Sequence, residues 1–396
     1  MPAQKTLHIL GGGQWQLPTI QLAKSLGHRV LITDMYTERP GYALADAHEV
    51  VDITDREATL RAAERHRIDG ILCDTTDVGV PTMAYVAERL GLPGIGLETA
   101  LNFTNKYRMR EITSKAGLPN PPFHLVHTLD AARTAASDIG FPCVVKPIDN
   151  QSSRGVHVVR TPEALEEAFV DAKSFARSGV LVEGFLDGTE VTVESFCVDG
   201  EATAVGISDK DHFAHRPEVA NRLTYPAAFP PSILARIREV NAGVVRALGL
   251  RTGVTHAEYM VVGEEVYLLE IAARGAGSRV YSHIVPYLAG TPVTQNYLEF
   301  VLTGSASFSM APGERAANLG FFCFPAGLVS AIEGFEEASR LPGVADLFLE
   351  FTVGERIALP SDDRSRPGLV VVFGATRSGV LETTQAVIDT LRVRVE

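Results

Sequence analysis

The sequence has few cysteines, and those present are far apart. The four cysteines of this 396-residue chain are Cys73, Cys143, Cys197 and Cys323. None has a second cysteine at the short spacing that zinc sites and redox pairs use. Because most of them lie inside apolar runs such as FPCVVK and FFCFP, we expect buried free thiols, and neither a disulfide framework nor a zinc site.

Basic residues and long apolar runs are also scarce. Lys and Arg number 36 against 48 Asp and Glu, which gives a formal net charge of −12. This balance argues against nucleic acid as the main partner, although it leaves room for a local basic pocket for phosphates. No apolar run approaches the ~18 residues that span a bilayer, and the start, MPAQKTLHILGGGQ, lacks a signal-peptide layout. We therefore expect a cytoplasmic protein with no membrane partner.

The length predicts two or three domains, and strand and helix patterns alternate over the first of them. Residues 1–97 are expected to form an α/β domain with a parallel sheet. The turn GGGQWQ after the first strand invites a dinucleotide interpretation, with Asp34 on a ribose. It lacks the third glycine at the right offset, however, and Trp15 would crowd a pyrophosphate. A turn that faces another small ligand, or simply tight packing, is the alternative.

The character of the chain changes after Gly96. An amphipathic, basic helix is predicted over 102–117, and three prolines in LPNPPF then form a plausible hinge. Alternating strands and a helix pattern follow, and this α+β block of roughly seventy residues has the size of a small mobile lobe. A final segment, about 307–396, is again predicted to be α+β.

Two glutamates fall at matching positions of a predicted hairpin. The runs THAEYMVV and EVYLLEI are joined at 263–265, and with a three-residue turn Glu258 lies directly opposite Glu270 on one face. Two anions so placed repel, and burial of either without a partner is costly. The pair indicates a divalent cation with oxygen ligands, Mg²⁺ first and Mn²⁺ as an alternative. A solvated sheet face, or neutralisation by Arg274, would explain it equally well.

The hairpin ends in AARGAGSR. Gly275 and Gly277 would let the backbone approach a ligand closely, while Arg274 and Arg279 offer planar donors for phosphate or carboxylate oxygens. A metal site, arginines and glycines together are typical of a polyphosphate site.

A second candidate site is FPCVVKPIDNQSSRG. Lys146 follows an apolar strand, so its stem is expected to be buried with the ammonium directed to a defined place. The small-residue loop after it, with Ser152, Ser153, Arg154 and Gly155, is of the kind whose N–H groups cradle phosphates. It is not a Walker A sequence, and a charge at the end of a strand is the simpler alternative for the lysine.

A third candidate site is LVEGFLDGTEVTVE. A strand that holds Glu183 breaks at Phe185 and Leu186, and a second strand resumes with Glu190. Irregular backbone here would expose N–H and C=O groups that can bind an adenine edge, and Glu190 could take ribose hydroxyls. A hairpin with acidic edges is the alternative.

In this order the three candidate sites resemble the ATP-grasp superfamily over about residues 100–305. The shared motifs are Lys106 in TNKYRMRE, VVKP, the loop SSRG, E-x-F-L-x-G-x-E, and two metal glutamates that end in E-I-x-x-R. The resemblance implies a Rossmann-like domain at 1–97, an ATP-grasp domain at 98–306 with its lid at about 118–185, and a C-terminal α+β subdomain at 307–396. EASRLPGVADLFLEFTVGERI resembles the end of L-amino-acid ligases.

The resemblance implies roles for thirteen residues around ATP and its metal. By role they are Lys106 and Lys146 for the phosphates; Ser152, Ser153, Arg154 and Gly155 for the loop that closes over them; Glu183, Phe185 and Leu186 for adenine; Glu190 for ribose; Glu258 and Glu270 for Mg²⁺; and Arg274 for the transferred phosphoryl group and the later oxyanion.

The implied reaction joins a carboxylate to an amine through an acyl phosphate, with release of ADP and phosphate; a homodimer is implied as well.

The sequence departs from the family pattern at two places. Ala272 replaces the asparagine that many relatives use as a metal ligand. VANRLTYP at 219–226 keeps little of the dipeptide-forming motif E-x-G-H-T-x-P, so an ordinary dipeptide product is in doubt, although Arg222 there is expected to select the acid or amine. His157, His212, His215 and His256 are candidate bases for the amine.

Three other functions remain open. A carboxylation or nucleotide-precursor ligation would use the same ATP site with a different nucleophile. A non-catalytic nucleotide sensor would bind ATP without hydrolysing it, and a nicotinamide oxidoreductase would rest on the glycine turn alone.

Overall fold

The N-terminal part of the chain forms a four-stranded parallel sheet in the order β3-β2-β1-β4, as its alternating pattern predicts. We describe a computed structural model in which residues 4–151 and 153–396 are placed. The elements are β1 (Thr6–Leu10), α1 (Leu17–Ser25), β2 (Arg29–Asp34), β3 (Ala47–Val50), α2 (Arg56–His66), β4 (Gly70–Leu72) and α3 (Val80–Leu90). β2 is buried along nearly its whole length because helices cover both faces of a parallel sheet.

The glycine turn after β1 is closed by its own neighbours. The N–H of Gly12 donates to Asp34 Oδ2 at 3.0 Å, and Arg39 Nε donates to the same oxygen at 2.9 Å. A Cβ on Gly12 would press against Ile32 and Arg39. The Asp34 carboxylate therefore holds the turn together, which supports tight packing and leaves the dinucleotide interpretation without its ribose ligand.

The helix predicted over 102–117 is α5 (Lys106–Lys115), and a separate short helix, α4 (Leu97–Asn102), precedes it. Asn105 separates them: its backbone is extended, and its side chain accepts the N–H of Arg108 at 3.0 Å. This is an N-cap, and it places Lys106 on the first turn of α5.

The lobe predicted after the prolines is present and has its own core. Four antiparallel strands in the order β5-β8-β6-β7 are backed by two helices, and buried residues such as Cys143, Val145 and Phe169 pack between the layers. The elements are β5 (Phe123–Val126), α6 (Leu129–Ile139), β6 (Cys143–Pro147), β7 (His157–Val159), α7 (Leu165–Phe175) and β8 (Val180–Gly184). We call residues 123–184 the lid.

The remainder is dominated by an eight-stranded antiparallel sheet in the order β13-β12-β9-β10-β11-β14-β18-β16. Its strands are β9 (Thr189–Val198), β10 (Glu201–Phe213), β11 (Arg216–Tyr225), β12 (Gly253–Val262), β13 (Glu265–Ala272), β14 (Ala316–Phe321), β16 (Val344–Leu349) and β18 (Gly368–Gly374). We call it the large sheet. Because β14, β16 and β18 belong to it, the C-terminal segment extends this sheet.

The other elements pack around the large sheet. They are α8 (Pro231–Leu248), a π-helical turn (Val280–Ile284), α9 (Val285–Ala289), α10 (Val293–Thr303), α11 (Phe335–Ser339) and α12 (Arg377–Thr390), with a small sheet of β15 (Gly327–Glu333), β17 (Arg356–Ile357) and β19 (Arg392–Val395). Within the described residues no helix is both long and apolar enough to cross a membrane.

The cysteine prediction is confirmed for three residues and wrong for one. Cys73, Cys143 and Cys197 are buried, and all four thiols are free. Cys323 is exposed because it lies between Phe322 and Phe324, whose rings stack 5.5 Å apart on the inner side. Successive residues of an extended segment point to opposite sides, so an apolar run does not bury its middle residue.

Residues 185–188 carry the chain from β8 in the lid to β9 in the large sheet. The two strands lie in different sheets, so the alternative of a hairpin with acidic edges is wrong. The linker passes so close to β12 that a Cβ on Gly188 would overlap the carbonyl oxygen of Val261. Glycine is therefore required where the linker crosses the sheet.

We expect Gly188→Ala to destabilise the protein by about 1–3 kcal/mol, because the added methyl group forces the linker away from β12. Thermal unfolding of the purified variant measures this. Gly277→Ala is the matched control, since a Cβ there meets no atom within 4 Å. Equal melting temperatures for the two variants would contradict the close approach.

Candidate active site

Glu258 and Glu270 lie directly opposite each other on β12 and β13, as predicted. The turn between the strands is one residue shorter than expected, because Val262 pairs with Glu265. A β-bulge at Leu269 compensates for this difference and restores the alignment of the two glutamates. Bulges recur beside active sites because they redirect a side chain.

Each of these carboxylates is paired with a lysine. Lys106 Nζ lies 2.6 Å from Glu270 Oε1, and Lys210 Nζ lies 2.8 Å from Glu258 Oε1 and 2.6 Å from Glu190 Oε1. Burial alone would raise the pKa of the Glu258 carboxyl, but Lys210 and His256 hold it well below its ordinary value. The Glu258 carboxyl is therefore ionised, and the partners of the two glutamates are lysines and not Arg274.

His256 extends this network on the same strand face. Its Nδ1 lies 2.7 Å from Glu194 Oε1, and its Nε2 lies 3.8 Å from Glu258 Oε1. Although burial lowers the pKa of an imidazole, Glu194 raises that of His256 to about 9. At neutral pH this imidazole is thus a cation, which weighs against its prediction as a base. His256 also stands opposite Ala272 on β13.

The other candidate bases are bound elsewhere. His212 Nε2 contacts Glu190 Oε2 at 3.0 Å, His157 Nε2 contacts Asp171 at 2.7 Å in the lid, and His215 Nε2 lies 3.0 Å from Pro360 O. Of the three, only His212 shares a partner with the network around Glu258.

Lys146 and Glu183 form a buried ion pair that a third residue completes. Lys146 Nζ contacts Glu183 Oε1, and Arg110 Nε donates to Glu183 Oε2 at 3.0 Å. Arg110 is fully buried, and its Nη2 donates to Leu269 O at 3.0 Å. Burial lowers the pKa of Lys146 despite the attraction of Glu183. The Glu183 carboxylate is therefore held between two cations.

The loop after Lys146 rests against two distant segments. Ser153 Oγ lies 3.3 Å from Asp363 Oδ2, and Arg154 Nη2 donates to Asn150 Oδ1 at 2.6 Å. Gly155 has a left-handed backbone and packs against Phe175. Ser152, predicted for the same loop, lies outside the described residues.

The residues predicted for adenine and ribose lie where the lid meets the large sheet. Phe185 and Leu186 are half-buried in the linker, and Arg160 lies over the Phe185 ring at 5.7 Å. Glu190 follows at the start of β9 and binds Lys210 and His212.

Arg274 is paired with the N-terminal part of the chain. Its Nε and Nη2 donate to Asp77 Oδ1 and Oδ2 at 2.7 and 2.8 Å. Gly277 faces open space, but a Cβ on Gly275 would overlap the ring of Tyr281. Gly275 therefore serves internal packing and not, as predicted, the approach of a ligand.

Arg279 and Arg222 each have a carboxylate partner. Arg279 Nε donates to Asp346 Oδ2 at 2.6 Å, and its guanidinium lies 5.5 Å from the Trp15 ring centre. Arg222 pairs with Asp211, the neighbour of Lys210 along β10. Adjacent strand residues point to opposite faces, so Arg222 lies on the face away from Lys210. Its role in selecting the acid or amine stays a prediction.

Three residues of the site were missed at the sequence level. Arg110 could have been found, because it follows Lys106 by four positions and so shares its helix face. Lys210 and Asp77 carry no such signal, since only the register of β10 and the packing of the N-terminal sheet bring them to the glutamates and to Arg274. Within the described residues no group of three or more His, Cys, Asp or Glu side chains could hold a metal.

A separate four-stranded lobe, two facing carboxylates and a set of lysines and arginines around them are the features expected of a nucleotide-dependent enzyme. A family model described as "ATP-grasp domain" matches residues 139–282, and one described as "L-amino acid ligase C-terminal domain 2" matches residues 320–396.

Complete relatives extend this similarity over the whole chain. A formate-dependent phosphoribosylglycinamide formyltransferase of Rhodococcus jostii (strain RHA1) is 30% identical over 98% of this chain and 92% of its own. The crystal structure of L-amino acid ligase from Bacillus licheniformis has a TM-score of 0.85 at 24% identity, with 100% of both chains covered. N5-carboxyaminoimidazole ribonucleotide synthetase from Thermotoga maritima has a TM-score of 0.75 at 20% identity and covers 99% of this chain and 100% of its own.

The chain belongs to the ATP-grasp family. It is an ADP-forming ligase of the class that makes carbon–nitrogen bonds, it uses ATP, and its other substrates are small molecules.

We expect Lys146→Ala to weaken ATP binding by tenfold or more, since charge-assisted hydrogen bonds contribute about 1.5–3 kcal/mol. Its stability should change less, because Glu183 keeps Arg110 as a partner. Arg110→Ala is the contrasting variant. It should lower the free energy of unfolding by about 3–5 kcal/mol, because Arg110 is fully buried and also donates to Leu269 O. Calorimetric titration with ATP and urea unfolding separate the two effects. Lys146 would be purely structural if its variant lost stability and kept ATP affinity.

Proposed function

We propose that this protein is an ATP-dependent carboxylate–amine ligase that forms an amide bond through an acyl phosphate. The observation that carries the proposal is the facing pair Glu258 and Glu270, each held by a lysine, with Arg274 directly after them. The family model for L-amino acid ligases, which matches residues 320–396, supports amino acids or similar compounds as substrates.

We assign ATP to the space between the lid and the large sheet. Lys106 and Lys146 bind the phosphates, and the loop with Ser152, Ser153, Arg154 and Gly155 covers them. The remaining nucleotide contacts are Glu183, Phe185 and Leu186 for adenine and Glu190 for ribose. Lys210 extends this set, because it contacts both the ribose glutamate and a metal glutamate.

The carboxylate pair fits Mg²⁺. Both groups offer hard oxygen ligands, and Mg²⁺ is usually held by one or two carboxylates together with substrate phosphates and water. When bound, the ion would neutralise charge on the nucleotide phosphates.

In the proposed reaction the substrate carboxylate attacks the γ-phosphorus and ADP leaves. The amine then attacks the acyl carbon, inorganic phosphate leaves, and the amine proton is lost. The protein contributes positioning and charge neutralisation, with Arg274 at the transferred phosphoryl group and then at the oxyanion. The lid excludes water, which would otherwise hydrolyse the acyl phosphate.

We also propose the domain division 1–97, 98–306 and 307–396, and a homodimer. The first division ends at the first residue of α4, and the second contains the lid together with β9 to β13. The third supplies the strands that extend the large sheet beyond β11.

A second candidate function follows from the 30% identical relative. Its name indicates formate as the acid and phosphoribosylglycinamide as the acceptor, which is the same chemistry with a nucleotide precursor. A screen distinguishes the two candidates: phosphate release is measured for amino acids in pairs, and for formate with glycinamide ribonucleotide. The products are identified by mass spectrometry. Amide formation from amino acids supports the first proposal, and N-formylation alone supports the second.

We expect Glu270→Gln to lower ADP formation at least about 100-fold, because one of two metal carboxylates is lost. The fold should remain intact, since Lys106 keeps the carbonyl of Asn150 as an acceptor at 2.7 Å. Glu264→Gln, in the exposed turn of the same hairpin, should be as active as the wild type. Near-normal turnover of Glu270→Gln would refute the metal assignment.

A further inference from the structure

Asp77 fixes the orientation of the Arg274 guanidinium. A guanidinium has five N–H donors in one plane. Nε and Nη2 donate to the two oxygens of Asp77, and Nη1 donates to Gly275 O at 3.0 Å. Nη1 and Nη2 each keep one further N–H. Within the described residues they have no protein acceptor, and an oxyanion fits this fork.

The Asp77 turn is rigid and lies at the carboxyl end of β4. The thiol of Cys73 donates to Thr76 O at 3.0 Å, and a Cβ on Gly79 would overlap Cys73 Sγ at 2.7 Å. Both Asp77 and Arg274 are largely shielded, with 13% and 14% of their side chains exposed. An ion pair with two parallel hydrogen bonds, shielded from water, keeps its geometry better than an exposed one.

The same turn also contacts Gln151 of the lid. Gln151 Oε1 accepts the N–H of Asp77 at 2.8 Å, and Gln151 Nε2 lies 3.3 Å from Thr76 Oγ1. Gln151 belongs to the loop proposed to cover the ATP phosphates. One turn of the N-terminal sheet thus contacts both the arginine and the phosphate loop.

We propose that Asp77 is a positioning residue, which directs the Arg274 guanidinium at the transferred phosphoryl group while Gln151 couples this geometry to the seated lid loop. The inference rests on the proposed function, because it needs a phosphoryl group beside Arg274. Asp77 does not touch the reacting atoms; it acts through the arginine.

The test uses a readout that does not require the natural substrates. Affinity for Mg·ADP alone is compared by calorimetry with affinity for Mg·ADP plus aluminium fluoride, which mimics the transferred phosphoryl group. Asp77→Asn has one acceptor oxygen, and its amide group opposes the guanidinium donors. We expect the Kd of this variant for Mg·ADP to stay within about threefold of the wild-type value. The gain in affinity on adding aluminium fluoride should be at least about tenfold smaller than in the wild type. A 1 Å displacement can cost about 100-fold in rate.

Three further variants make the result specific. Asp77→Glu, which keeps the charge on a longer arm, should recover part of the fluoride effect. Glu49→Gln, which weakens an ion pair with Arg65 at the opposite edge of the same sheet, should behave as the wild type. Gln151→Ala should raise KM for ATP more than it lowers kcat, and Asp77→Asn should do the reverse.

The failure of this inference is distinguishable from the failure of the proposed function. If Asp77→Asn lost melting temperature but kept the full fluoride effect, the residue would be structural and the inference overturned. If the wild type did not bind Mg·ADP, the nucleotide site itself would be wrong, and the inference would fall with it.

Discussion

The structure depends on ion pairs between glutamates and lysines or arginines in the candidate active site, where burial would make an unpaired charge costly. Glu258 and Glu270 are aligned by the hairpin, and their mutual repulsion is balanced by Lys210 and Lys106 from β10 and α5. Glu183 is likewise held between Lys146 and Arg110. Because an uncompensated buried charge is costly, these pairs tie together three parts of the chain: the lid, the large sheet and α5.

These pairs also provide what phosphoryl transfer needs. Cations that are already ordered by carboxylates do not have to be reorganised when a triphosphate arrives. A metal ion held by Glu258 and Glu270 would share their oxygens with the two lysines. In the proposed reaction the protein therefore contributes charged groups that are already in place, and it forms no covalent bond to the substrates.

Much of this organisation could be predicted from the sequence because it follows from local patterns. The parallel sheet, the lid, the facing glutamates and the Lys146 strand all come from periodicity and turn residues. The predicted pairing of Glu258 with Glu270 is correct although the predicted turn is one residue too long, because the bulge at Leu269 offsets the shorter turn. Lys210 and Asp77 could not be found in this way, because their roles depend on strand register and on contacts between residues nearly two hundred positions apart. The predictions for Cys323 and Gly275 differ from the structure for the same reason: a local sequence pattern does not specify which distant residues a position will contact.

One consequence follows from the course of the large sheet. Its first strands, β13 and β12, carry Glu270 and Glu258, while its last strands, β18 and β16, lie within residues 320–396, which match the amino acid ligase model. In the proposed function, the nucleotide site and the segment that matches the L-amino acid ligase model thus lie at opposite ends of one continuous sheet.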